Sequence, residues 1–221
     1  MSFPPAAGHA VIVATYACGN SACTGSTTGF TETISDNVNN PEACFVKSPG
    51  SPFNLVETSS GAERLQQYMW VCPSIPSGVT SITVRSSSTS YYLTFSASEW
   101  TGLASSNVWD ADGGNASTTQ GETATLSTSS PLSYYHDLMY TFLDNTGDET
   151  MTPVSPYLQV TQFYSGNIDT AITVNTAGVQ TAQTTWTPND DWYGVIGAIK
   201  TAASTGTVTV FPPATLSASV Q

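Results

Sequence analysis

The chain is a succession of β-branched and aromatic runs, each closed by Gly, Pro, Asn, Asp or Ser, and this pattern constrains it to strands almost throughout. The runs are Ala10 to Tyr16 (AVIVATY), Ser81 to Arg85, Tyr91 to Trp100 (YYLTFSASEW), Thr123 to Ser127, Leu138 to Leu143, Tyr157 to Tyr164, Ala171 to Asn175, Gly194 to Ile199 and Thr207 to Phe211. The segments ACFVK and MWVCP read as two more. Ser60 to Tyr68 is the only helical candidate, and a turn fits it as well. Strands do not alternate with helices, so a nucleotide-binding α/β fold is not expected. The expected fold is all-β, a two-sheet antiparallel β-sandwich of jelly-roll type. With 221 residues, 39% of them hydrophobic, the chain can bury one sizeable core. One domain is expected over residues 1–221, with 205–221 as a C-terminal strand and tail.

Charge then limits the partners. Sixteen acidic residues outnumber four basic ones, for a net charge of -12. Without clustered positive charge the chain cannot neutralise a phosphate backbone or an anionic bilayer, so nucleic acid and membrane surfaces are poor partners. No run approaches the roughly 18 apolar residues of a membrane span, and membrane insertion is not expected. The opening MSFPPAAGHAVIVATYACG lacks the basic region of a signal peptide. Only 9% of residues are charged, which leaves Ser and Thr hydroxyls to cover a surface suited to the extracellular space or the cell surface.

The four cysteines, Cys18, Cys23, Cys44 and Cys72, allow three pairings, and sequence does not choose among them. We favour Cys18 with Cys23, closing a short loop after an apolar strand, and Cys44 with Cys72, joining two strand-like segments. A zinc site fits less well, because the spacing of the first pair is loose and no histidine is near.

Catalysis finds little support, and the chain is not expected to be an enzyme. Serine-histidine chemistry needs an imidazole placed to take the serine proton, and the only histidines are His9 and His136. Asp137 follows His136 directly, but neighbours on a strand point to opposite faces. Glycoside hydrolysis needs two converging carboxylates. Glu99 has no acid two or four residues further on, where Thr101 and Leu103 stand.

Binding chemistry is better represented. No cofactor is required, but calcium is a candidate at Asp110, Asp112 and Asn115, where alternating oxygen ligands surround a glycine turn as in part of a calcium loop. Asn189-Asp190-Asp191 and Asp144 to Glu149 are weaker candidates, and Asn115-Ala-Ser117 is a formal glycosylation acceptor. Aromatic side chains offer flat platforms for the apolar faces of sugar rings. Trp109 and Trp186 sit in turn-like surroundings and are expected to be exposed, with Trp192 and Tyr193 beside the second acidic stretch. Trp70 and Trp100, and by its strand position Trp192, are also core candidates. The pairs Tyr91/Tyr92 and Tyr134/Tyr135 complete the set.

Several segments, in order, resemble a bacterial module. AAGHAVIVATYACG resembles an opening "A-G-N-x-I-V-V" strand, and TETISDNVNNPEACFV resembles the following "V-S-D-x-x-G-N-x-Y", with Pro41-Glu42 in place of Gly-Asn. MWVCPSIPSGVTSITVRSSSTSYYLTFSASEWTGL, SNVWDADG and DDWYGVIGAIKTA resemble its later strands. The family is a Ser/Thr/Gly-rich β-sandwich found in secreted and surface proteins of bacteria. The resemblance implies a lectin-like jelly roll in a secreted setting and assigns no chemistry.

Two functions follow as expectations. The first is a non-catalytic extracellular module that binds polysaccharide or cell-wall glycan. The alternative is a self-assembling subunit of an extracellular fibre or sheath, joined to copies of itself by β-strand addition. Phe3-Pro4-Pro5-Ala6 recurs as Phe211-Pro212-Pro213-Ala214 after a strand-like TGTVTV, so that strand is expected either to pair with a neighbouring copy or to fold back onto its own sheet.

Overall fold

The computed structural model describes residues 5–18, 31–38, 44–56, 64–87, 92–134, 136–145, 147, 149–163, 166–202 and 209–211, and none of these is helical. Cys23, Pro41, Glu42, Tyr91, Tyr135 and the tail beyond Phe211 lie outside the described residues. The fold is an all-β antiparallel sandwich. Its front sheet runs β14 (Thr209–Phe211), β7 (Tyr92–Thr101), β1 (Ala10–Cys18), β5 (Arg64–Cys72), β3 (Val46–Lys47), with β4 (Phe53–Val56) also on β5. The back sheet runs β10 (Thr152–Pro153), β13 (Thr181–Lys200), β9 (Asp137–Asn145), β12 (Asn167–Val174), β11 (Leu158–Phe163), with β8 (Trp109–Ser127) also on β13. A third, two-stranded sheet pairs β2 (Glu32–Asp36) with β6 (Ile82–Ser86).

Period-two alternation explains how these sheets stack. On β1, Ile12 and Ala14 enter the core between front and back sheets, while Val11 and Val13 enter a second core with Ile34, Ile82 and Val84 of the small sheet. Both faces of β1 are thus covered, and its Ala10 to Ala14 run is apolar without interruption because the strand is central. The same holds for β9. Leu138, Tyr140 and Phe142 face the main core, and Met139 and Leu143 face a third core on the far side of the back sheet.

That third core exists because β8 and β13 form one long ribbon that folds back over its own sheet. The two strands pair over Thr181 to Thr185 and again from Trp192 to Ile199, with Asp190 paired between, and their register shifts between Thr185 and Asp190 and again before Trp192. Bulges of this kind bend and twist a ribbon. The bend brings residues 123–127 over residues 111–115, where Asn115 Nδ2 donates to the Thr125 carbonyl at 3.4 Å and the Asp112 carbonyl accepts the Ser129 N–H at 2.7 Å. Ala124, Leu126, Ala182 and Trp186 on the folded part close over Ala111, Met139, Ile196 and Ala198.

Three expectations are corrected here. Trp186 is not on an exposed turn: it lies in β13 at 4% exposure, because the Pro188 to Asp190 irregularity is the bend of a ribbon and turns the indole inward. The Asp110 to Asn115 stretch is not a glycine turn but part of β8. Of the helical candidate, Arg64 to Tyr68 is strand, paired with β1 and β4.

Cys44 and Cys72 form a disulfide, with their Cα atoms 4.8 Å apart, as favoured from sequence. Cys18 is also disulfide-bonded, and the Cys23 expected to pair with it lies outside the described residues. The Cys44–Cys72 bond closes a chain separation of 28 residues onto the central strand β5. A loop of that size implies about 3–4 kcal/mol of stabilisation, chiefly by restricting the unfolded chain. Replacing both Cys44 and Cys72 with Ala should therefore lower the unfolding free energy from denaturant titration by about that amount, and an unchanged midpoint would refute it.

Candidate functional site

The candidate site forms where three loops meet the end of β13. Lys200 closes β13 opposite Asp137 at the start of β9, and its backbone N–H and carbonyl bond Val108 and Ala104 at 2.8 Å each. Ala202 N–H donates to the Gly102 carbonyl at 2.7 Å, so the loop from Gly102 to Val108 is laced along the strand end. Asp110, at the start of β8, holds the other wall. Its carboxylate accepts the Ser133 hydroxyl, the Ser133 N–H at 2.7 Å and the Tyr134 N–H at 2.9 Å. Thr201 Oγ1 donates to the His136 carbonyl, and His136 ends the turn at φ 75°, in the left-handed region.

Between these walls opens a cleft of about 330 Å³ lined by Ala104, Ser105, Ser106, Tyr134, Lys200 and Thr201. Ser105 and Ser106 are exposed, and Tyr134 and Lys200 are half-buried. Lys200 Nζ lies 4.0 Å from Asp110 Oδ1. Behind them sits a second acid, Asp137, fully buried, its carboxyl group hydrogen-bonded to the Asp110 carboxylate. Burial pushes Asp137 up to about 7, the neighbouring Asp110 carboxylate adds to the rise, and Lys200 opposes it. Burial also raises Asp110, but the donors from Ser133 and Tyr134 outweigh it and leave that group below its ordinary value. Two acids held apart in this way suit proton transfer. Here, however, the Asp110 side chain is 2% exposed and Asp137 0%, so neither can touch a ligand in the cleft. Asp110 positions the turn that carries Tyr134.

The residues singled out from sequence are distributed elsewhere. Trp109 is half-buried on β8, donates its Nε1–H to the Val46 carbonyl at 3.1 Å and lies over Gly197, where a Cβ would come within 2.7 Å of the indole. Trp192 and Tyr193 are buried at 6% and 2%, which removes them as ring platforms along with Trp186. Asp110, Asp112 and Asn115 do not converge: Asp112 accepts the Gly50 N–H at 2.6 Å, and Asn115 Oδ1 accepts the Ala116 N–H at 2.9 Å. The two weaker acidic stretches do meet. A Cβ on Gly147 would lie 2.3 Å from Asp190 Oδ2 and 2.4 and 2.5 Å from the two Glu149 oxygens. Among the described residues, though, no group of three or more His, Cys, Asp or Glu side chains is arranged to hold a metal. His9 Nδ1 lies 2.7 Å from Glu99 Oε1, which also accepts the Ala6 N–H at 2.8 Å, so this pair ties the N-terminal segment to β7.

Comparison with known proteins adds no relative: no protein family, no curated protein and no solved structure matches the chain. Sequence reasoning missed Lys200 and gave Tyr134 no special weight. The available signal was Lys200 itself, one of only four basic residues, ending an otherwise apolar run.

Proposed function

We propose that the protein is a non-catalytic extracellular module that binds a polyhydroxylated polymer, a polysaccharide or cell-wall glycan, in the cleft at the end of β13. One observation carries the proposal: this cleft combines the Tyr134 ring, the Lys200 ammonium and the exposed hydroxyls of Ser105 and Ser106. A sugar presents an apolar C–H face to an aromatic ring and hydroxyls to surrounding donors and acceptors. Asp110 beside Lys200 offsets its charge, so the cleft suits a neutral ligand better than a phosphate. The disulfides fit an oxidising compartment, and lectin-like sandwich modules work in the same setting. A fibre subunit joined through its C-terminal strand has less support, because Thr209–Phe211 pairs with Thr101 to Glu99 on β7 of its own chain.

Affinity electrophoresis in gels containing soluble polysaccharides tests the proposal. Tyr134→Ala and Lys200→Gln should each weaken retardation by roughly 1–3 kcal/mol, as for removal of a stacking or charged contact, with little change in melting temperature. Trp109→Ala should leave retardation unchanged. Wild-type retardation in both cleft variants would overturn the site.

A further inference from the structure

β11 is the outer strand of the back sheet, and among the described residues nothing pairs with its free side. Of the other strands with an unpaired side among the described residues, β3, β10 and β14 are only two or three residues long and β4 four, while β2 carries Glu32 and Asp36, β6 carries Arg85 and β8 carries Asp110, Asp112 and Glu122; β11 has six residues. A free edge offers a row of N–H and C=O groups to another chain, and proteins usually guard it with charge. β11, Leu-Gln-Val-Thr-Gln-Phe, carries none, in a chain with a net charge of -12. Its Leu158 is the most exposed large apolar side chain described, at 71%, and Val154, four residues earlier in the chain, is 36% exposed.

The order of residues identifies the occupant. Read in either direction, β11 gives the same classes: apolar, Gln, β-branched, β-branched, Gln, apolar. We propose that β11 pairs antiparallel with β11 of a second copy, about a two-fold axis between Val160 and Thr161. That register sets Leu158 against the partner's Phe163, Gln159 against the partner's Gln162 and Val160 against the partner's Thr161. Cross-strand pairs of like class are the stabilising unit of such a seam. The neutral strand lets two strongly acidic molecules meet without like charges opposed. The irregularity between Gln159 and Thr161 interrupts the ladder and limits the seam to two short stretches. A two-fold contact of this kind closes on itself, so the product is a dimer and not a filament.

Sedimentation velocity over a roughly hundredfold range of protein concentration tests this, since dimerisation follows mass action. The wild type should pass from monomer to dimer. Leu158→Lys and, separately, Gln159→Lys, both at exposed positions, should weaken association at least about tenfold with unchanged thermal unfolding. A wild type that stays monomeric, a dimer that neither variant weakens, or growth into larger polymers would overturn the proposal. The glycan reading is untouched by any of these results.

Discussion

Gly113→Ala should cost about 3–5 kcal/mol and lower the melting temperature by roughly 10 °C, the largest loss expected from adding one methyl group to this protein. Gly113 lies where the ribbon of β8 and β13 folds over itself. A Cβ there would sit 2.2 Å from the Ser127 carbonyl oxygen and 3.2 Å from the Ser129 nitrogen. Both obstacles are backbone, so no side chain can rotate away, and the overlap is relieved only by lifting the folded ribbon off the third core. Gly121→Ala is the control. Its nearest neighbour would be 4.0 Å away, at ordinary contact distance, and its cost should stay below about 1 kcal/mol. Equal melting temperatures for the two variants would show that the layers are not in contact at Gly113.

The second large effect is on pH dependence. Burial pushes Glu32 up to about 8, against a smaller lowering by the Thr15 hydroxyl, which donates to it at 2.5 Å. Burial likewise pushes Asp169 up to about 8, with Ser96 and Tyr140 hydrogen bonds opposing the rise. Asp137 stands at about 7. Asp169 lies between the sheets, accepts the Ser96 hydroxyl of β7 at 3.1 Å and faces Tyr140 of β9. In the unfolded chain these groups titrate near their ordinary values, around pH 4. Between there and pH 8 the folded protein holds protons that the unfolded chain has released, so stability falls as pH rises. The stabilisation is complete below about pH 4 and lost once the folded groups ionise near pH 7–8. Shifts of this size correspond to several kcal/mol across the range. Thermal unfolding should thus occur at a clearly higher temperature at pH 5 than at pH 9. Asp169→Asn keeps an acceptor for Ser96, cannot ionise, and should flatten the profile. A melting temperature that rises from pH 5 to pH 9 would refute the account.

The strands that announce themselves in the sequence are those buried on both faces or alternating cleanly. AVIVATY becomes β1, and the run from Leu138 to Leu143 becomes most of β9. The first half of β8 and the first half of β13 were hidden for one reason. Their Gly, Asn, Asp and Pro residues carry the local grammar of turns, but Gly113 and Gly114 are there because neighbouring layers leave no space for a Cβ, Gly114 lying within 2.6 Å of the Phe53 ring by that measure. Close approach between distant segments leaves no periodic trace. Trp186 and Trp109 were misjudged with those segments. The cleft was illegible for a related reason: Asp110, Ser133 and Lys200 meet only through the ladders that join β8, β9 and β13.

The position of β13 also sets the order in which the protein can be completed during synthesis. It is the shared neighbour of β8, β9 and β10, yet it is made after all three. Until it emerges, β8 and β9 have no common partner, and Met139, Leu143 and Ile168 have no ribbon folded over them. The front sheet needs only strands made earlier to pair β5, β1 and β7. Nascent chains should therefore carry a formed front sheet and a back half open to misassociation, with closure delayed until Lys200 clears the exit tunnel.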